Sequence, residues 1–129
     1  MAWCFEDEAS PACDAILDRV RDEGTIVPAL WYWEVANVLV GAQKRGRISE
    51  RDCTTYLELL STLPIKTDDA GAAKAWNQTR LLAQLHALSV YDAAYLELAL
   101  RRSLPLATLD KALLAALAAA GVAAADFAS

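Results

Sequence analysis

Three acids in this chain stand in settings unlike those of ordinary surface carboxylates: Glu34, Asp92 and Asp110. Between Leu30 and Ala42 the only strongly polar side chains are Glu34 and Asn37, which share a helical face at i and i+3. A carboxylate on so apolar a helix is costly to bury unless it is paired or bound to a cation. Asp92 closes Ser89-Val90-Tyr91-Asp92, the spacing of a capping box, and Asp110 stands between an apolar run and the helical Lys111-Ala112-Leu113-Leu114. Each acid also has a plain local reading: Glu34 near a helix start favoured by the dipole, Asp92 and Asp110 as caps. Taken together, three oxygen donors without a usable His or Cys cluster describe a site for a hard cation, Mg²⁺ or Mn²⁺. Such an ion hydrolyses phosphodiesters by generating hydroxide and neutralising charge in the transition state.

The elements that must position these acids alternate along the chain. A helix is expected from Ser10-Pro11 to about Arg21, ended by Asp22-Glu23-Gly24, then a strand at Thr25-Ile26-Val27 cut by Pro28. Helices follow over about 29–44, ended by Gly46, and from the Ser49 cap to about Thr62. Pro64 precedes a short strand, Ile65-Lys66-Thr67. Residues 70–88 read as one long helix and 90–102 as another; Leu106-Ala107-Thr108-Leu109 is a strand, 111–120 a helix closed by Gly121, and 122–127 a last strand. Strand and helix in alternation, with no hairpin signal, predict an α/β fold: a parallel sheet flanked by helices. Ligands of such sheets bind outside the carboxyl ends of the strands, where Asp110 falls. With neither linker nor repeat, residues 1–129 read as a single domain.

Composition narrows the function. At 56% hydrophobic residues the chain can bury a core, and its formal charge of -5 argues against a protein that coats nucleic acid through a broad basic face. Cys4, Cys13 and Cys53 form no C-x-x-C pair, and with His86 as the one histidine a zinc site is not expected. The thiols are expected to be reduced, in a cytoplasmic protein. Nothing at the N-terminus reads as a signal peptide, and the alanine-rich stretch 112–125 is short of the about 20 residues of a membrane span. Lys44, Arg45, Arg47 and Arg51 read as a solvated helix end and turn before they read as phosphate ligands, and Arg101 and Arg102 fit either. Tyr91 and Tyr95 are expected in the core and His86 at the surface or in packing; no Ser-His-Asp motif is present.

Three blocks carry a resemblance: Trp33-Glu34-Val35-Ala36-Asn37-Val38-Leu39, Tyr91-Asp92-Ala93-Ala94-Tyr95-Leu96-Glu97-Leu98-Ala99 and Leu106-Ala107-Thr108-Leu109-Asp110. In content, order and separation they resemble the blocks of PIN-domain ribonucleases of the VapC toxin type, and the similarity covers essentially the whole chain. The resemblance implies a Mg²⁺-dependent endoribonuclease that cuts structured RNA, forms a homodimer and is neutralised by a small cognate antitoxin. It implies that Glu34, Asp92 and Asp110 are catalytic metal-site acids, with Thr108 and Asn37 as polar neighbours.

One departure accompanies the match. Members of that family open with an apolar central strand ending in an aspartate, whereas this chain opens with a helix-like piece over residues 2–8, and Asp7 falls at its far end. The first central strand and the first acid of the site are therefore expected to be missing, leaving a sheet of four or fewer parallel strands. A second function class follows: a catalytically inactive interaction domain that keeps the dimer and antitoxin surfaces.

Overall fold

The β-branched run Thr25-Ile26-Val27 forms the first strand because the helix before it stops sharply. The computed structural model describes residues 11–108 and 110–124. In it helix α1 (Pro11–Glu23) ends at Gly24, whose φ of +76° no β-carbon favours and whose added Cβ would meet the Pro64 carbonyl oxygen at 3.1 Å. The close approach serves the sheet: the Thr25 N–H donates to that same Pro64 oxygen at 3.1 Å. Strands β1 (Thr25–Pro28) and β2 (Ile65–Asp68) then pair in parallel, from Thr25 opposite Ile65 to Pro28 opposite Asp68.

The crossover between them is helix α2 (Leu30–Lys44) and helix α3 (Glu50–Ser61). Trp31, Val35, Leu39 and Ala42 form the buried stripe of α2, at the spacing that keeps one helical face inward. Helix α3 opens on a complete capping box, the Ser49 side chain accepting from the Asp52 N–H and the Asp52 side chain from the Ser49 N–H. Near the start of α2, the hydroxyls of Tyr32 and Thr67 share a hydrogen bond of 2.8 Å that pins the helix to β2.

Residues 70–88 are not one regular helix. They run as α4 (Gly71–Lys74), a π-helical turn (Ala75–Thr79) and α5 (Arg80–His86). The Arg80 Nε donates to the Trp76 carbonyl at 2.8 Å within this irregular stretch. The rotation buries Thr79 and leaves Trp76 almost wholly in solvent. A left-handed Ala87, with the Leu88 N–H donating to the Ala83 carbonyl, ends α5.

Helix α6 (Val90–Arg102) is the central element, with Ala93 and every residue from Tyr95 to Ala99 buried. Tyr95 belongs to one core, with Val27, Trp31, Val35, Leu39 and Leu60. Leu96 belongs to a second, with Leu113, Ala116 and Leu117 of helix α7 (Lys111–Ala120). Leu106 packs against both.

The architecture is the expected mixed α/β one, with a smaller sheet. Beside the two-stranded parallel pair, the described residues of the expected strands at 106–109 and 122–127 meet in an isolated parallel bridge, Leu106 to Ala124, with the Leu106 N–H donating to the Ala123 carbonyl at 3.0 Å. The opening helix-like piece at 2–8, the Ser10 cap, Cys4, the Cys13 side chain, Leu109 and the end of the last strand lie outside the described residues. Among the described residues no helix is long and apolar enough to cross a membrane.

Leu96 is 0% exposed, so Leu96→Ala leaves a cavity and should destabilise the chain by about 2–5 kcal/mol in urea unfolding. Leu85→Ala, at a residue 75% exposed, should stay within about 0.5 kcal/mol of wild type.

Candidate active site

The chain enters α2 directly from the carboxyl end of β1, and Glu34 follows in the second turn, half-buried. Val35, beside it, is anchored in the core, which fixes the helix but leaves the Glu34 carboxylate to find a polar partner. It finds one on α6: the Tyr95 hydroxyl donates to Glu34 Oε1 across a separation of 61 residues. Tyr95 is itself 4% exposed. Burial, then the Glu34 hydrogen bond, then the negative charges of Glu34 and Asp92 push its ionisation far above the usual phenol range. The phenol therefore stays protonated and remains a donor.

Asp92 lies one turn before Tyr95, half-buried in the first turn of α6. Its backbone N–H donates to the Ser89 Oγ at 3.0 Å, so the local capping role expected of Ser89 is present. Of the three acids, Glu34 is held to α6 by the Tyr95 hydroxyl, and Asp92 stands one turn before Tyr95 on that helix.

Asp110 stands apart in its bonding. Its side chain caps α7 by accepting from the Leu113 N–H at 2.8 Å, and its own N–H donates to the Thr108 Oγ1 at 3.0 Å. Thr108 is buried and braces the turn that presents Asp110. Asn37 is exposed on α2, one turn beyond Glu34. Among the described residues no three His, Cys, Asp or Glu side chains are grouped closely enough to hold a metal ion. Glu34 and Asp92 are carboxylates, the ligand type a hard divalent cation takes.

Three side chains form a cluster that the sequence did not reveal. Arg101 donates from Nη1 and Nη2 to the two Asp68 oxygens at 2.9 and 2.7 Å, and from Nε and Nη2 to Glu97 at 2.8 and 3.0 Å. Both carboxylates are almost fully buried. The Glu97–Arg101 half is an i, i+4 helix pair visible in sequence; the Asp68 half depends on the fold. Arg101 lies nine residues after Asp92, about 14 Å along the helix, so the cluster braces the far end of α6 from the Glu34 and Asp92 acids. This removes Arg101 from the candidate phosphate ligands.

The other sequence readings divide. Lys44, Arg45, Arg47 and Arg51 are exposed, and His86 is half-buried at the end of α5. Cys53 is a buried free thiol. Tyr95 is a core residue as expected, but Tyr91 is not: it is 67% exposed, because the first turn of α6 projects beyond the helices that cover its middle. Trp33, beside Glu34, is also exposed.

Removing Arg101 strands two buried carboxylates, so Arg101→Met should destabilise the chain by about 3–5 kcal/mol. The hydrogen bonds from Arg101 hold the Asp68 carboxyl below its ordinary value near 3.8. A carboxyl lowered on folding stabilises above its ordinary range and loses that contribution as pH falls through its folded value. Asp68→Asn should therefore be less stable than wild type in neutral urea unfolding, and the gap should close below about pH 3.8.

Residues 1–119 match the PIN domain when the chain is compared with known protein families. No curated protein and no solved structure matches the chain. PIN domains are in general nucleases that use divalent metal ions. With that match spanning most of its length, the chain belongs to the PIN-domain family.

Proposed function

We propose that this chain is a Mg²⁺-dependent endoribonuclease of the VapC toxin type, folded as one domain over residues 1–129. In this reading it works in the cytoplasm as a homodimer and is restrained by a cognate antitoxin. The observation that carries the reading is the hydrogen bond from Tyr95 to Glu34, since these two residues stand in two of the sequence blocks that resemble VapC toxins. Asp110 is the third acid, placed at the N-terminus of α7, with Thr108 bracing it and Asn37 one turn beyond Glu34 as a polar neighbour.

Glu34, Asp92 and Asp110 would hold the cation, Mg²⁺ or Mn²⁺. When bound, it supplies a hydroxide near neutral pH and neutralises charge on the phosphodiester. The chain's own part is to fix these carboxylates in place. Tyr95 holds one Glu34 oxygen, the first turn of α6 presents Asp92, and the Asp68–Arg101–Glu97 cluster keeps that helix seated.

A second reading is an inactive PIN domain that serves binding alone. The observation favouring it is that no three acids are grouped among the described residues.

The two readings part on metal. A cation that binds only the folded chain, at one hundred times its dissociation constant, should add about 2.7 kcal/mol of stability. Melting curves should rise with millimolar Mn²⁺ or Mg²⁺, and Glu34→Gln or Asp92→Asn should lessen the rise. RNA cleavage should follow the same order and stop on chelation. A flat response to both ions, with no cleavage, would leave the binding domain as the function.

A further inference from the structure

The turn between α2 and α3 gathers cations in a chain that is otherwise acidic. Over residues 44–52 four cations, Lys44, Arg45, Arg47 and Arg51, stand against two acids, Glu50 and Asp52, where the whole chain carries 12 against 17. All four cations are exposed. The turn that carries them is fixed: Gly46 takes a φ of +71°, and the Gly46 and Arg47 N–H groups donate to the Gln43 and Ala42 carbonyls at 3.0 Å each. The Gln43 amide donates to Glu50 at 2.9 Å and ties the two helix ends together. Asp52 is engaged in the Ser49 capping box. Both acids of the turn are thus met by neutral donors, and among the described residues Lys44, Arg45 and Arg51 form no ion pair.

A helix C-terminus favours cations, which accounts for Lys44 and Arg45. It does not account for Arg51, which stands in the first turn of α3, where the dipole disfavours positive charge. Arg45 is also placed. Its Nη1 lies 3.2 Å from where a Gly41 β-carbon would stand, so the guanidinium folds back one turn along α2 into room that a side chain would take. Glycine inside a helix costs about 0.5–1 kcal/mol against alanine, and making room for Arg45 gives that cost a purpose. Gly41 stands seven residues after Glu34, which puts it on the same face of α2 and about 10 Å along it.

We propose that the α2–α3 turn holds the phosphate backbone of an RNA strand, with Lys44, Arg45 and Arg51 as its phosphate ligands. The proposal rests on the ribonuclease reading for the identity of the polyanion and adds where on this chain the strand is held. A guanidinium fork takes phosphate oxygens in pairs, and an ammonium takes them as a point charge. Such contacts read no bases, so the turn supplies affinity and register and leaves sequence choice to other groups. The patch is local, as a chain of net charge -5 requires: it holds a few phosphates and cannot coat a long strand. A strand held at Arg45 lies on the face of α2 that leads back to Glu34.

Binding can be read apart from cleavage. The full chain is titrated against a labelled single-stranded RNA of mixed sequence, in EDTA and at several salt concentrations, by fluorescence anisotropy. Each phosphate contact on a single strand contributes about 0.7 to the slope of log affinity against log salt. Lys44→Gln, Arg45→Gln and Arg51→Gln together should lower that slope by about 2 and weaken binding at least about tenfold at low salt. The replaced side chains are exposed, and a melting curve like that of wild type verifies that the variant folds. Arg19→Gln, Arg21→Gln and Lys66→Gln together remove the same charge elsewhere and should leave the slope near wild type. An equal loss in both variants overturns the site, since net charge alone then sets the affinity. A turn variant that binds RNA as wild type does overturns it too, and leaves the ribonuclease reading intact. Polyglutamate that displaces the labelled RNA more readily than unlabelled RNA does, charge for charge, gives the turn to an acidic protein and overturns RNA as its occupant. A folded wild-type chain that binds no RNA at low salt overturns the ribonuclease reading, and the site with it.

Discussion

Helix α6 is covered from Ala93 to Ala99 on almost every side, and a helix so enclosed must bring partners for each polar group it carries inward. It carries two kinds. The phenol of Tyr95 points into the larger core and is met by Glu34; the carboxylate of Glu97 is met by Arg101, which also holds Asp68. These pairings decide which neighbours α6 can have. The first ties it to α2 and the second to the end of β2, so one buried helix fixes the crossover helix and the sheet relative to each other. The apolar side of the same helix reaches Leu113 and Leu117, which seats α7 and the cap formed by Asp110. Asp92 gains its place from this arrangement without making a tertiary hydrogen bond of its own among the described residues.

The division of labour along α6 is also electrostatic. Around Arg101 two negative charges share one guanidinium whose fork geometry suits both, and the excess charge is modest. At Tyr95 it is a neutral hydroxyl that meets the Glu34 carboxylate, so this contact brings no positive charge to the amino-terminal half of the helix. Glu34 and Asp92, two of the acids behind the net charge of -5, are half-buried. Trp33 and Tyr91, each next in sequence to one of the acids, are exposed.

What the sequence disclosed was local chemistry. Ser49, Ser89 and Asp110 cap helices within three residues of themselves, so α3, α6 and α7 start where their side chains say. Gly24 and Gly121 end helices by a backbone conformation that their own residue type signals. The three acids were visible because apolar surroundings made them anomalous. What stayed hidden was non-local. Asp68 meets Arg101 across 33 residues and Tyr95 meets Glu34 across 61, and no periodicity encodes either. The strand expected at 106–109 reduces to a bridge because propensity measures the backbone's preference and not whether a neighbour is there to pair with. The helix expected over 70–88 failed for another reason: an apolar pattern cannot announce an extra residue within a turn.

That extra residue alters how the segment tolerates change. A π turn holds one residue more than the α turn it replaces, and one residue is about 100° of rotation about a helix axis. Removing a single residue between Ala75 and Thr79 would leave a longer, more regular helix and yet swing everything on one side of it by more than a quarter turn. Thr79 would leave the interior, Trp76 would turn toward it, and α4 would face away from Asp68, whose Oδ2 lies 3.2 Å from where a Gly71 β-carbon would stand. Length in this stretch therefore behaves as a gear and not as slack. Two PIN chains that differ by one residue here need to be aligned with a gap inside a helix, or every side chain before the gap will be assigned to the wrong face.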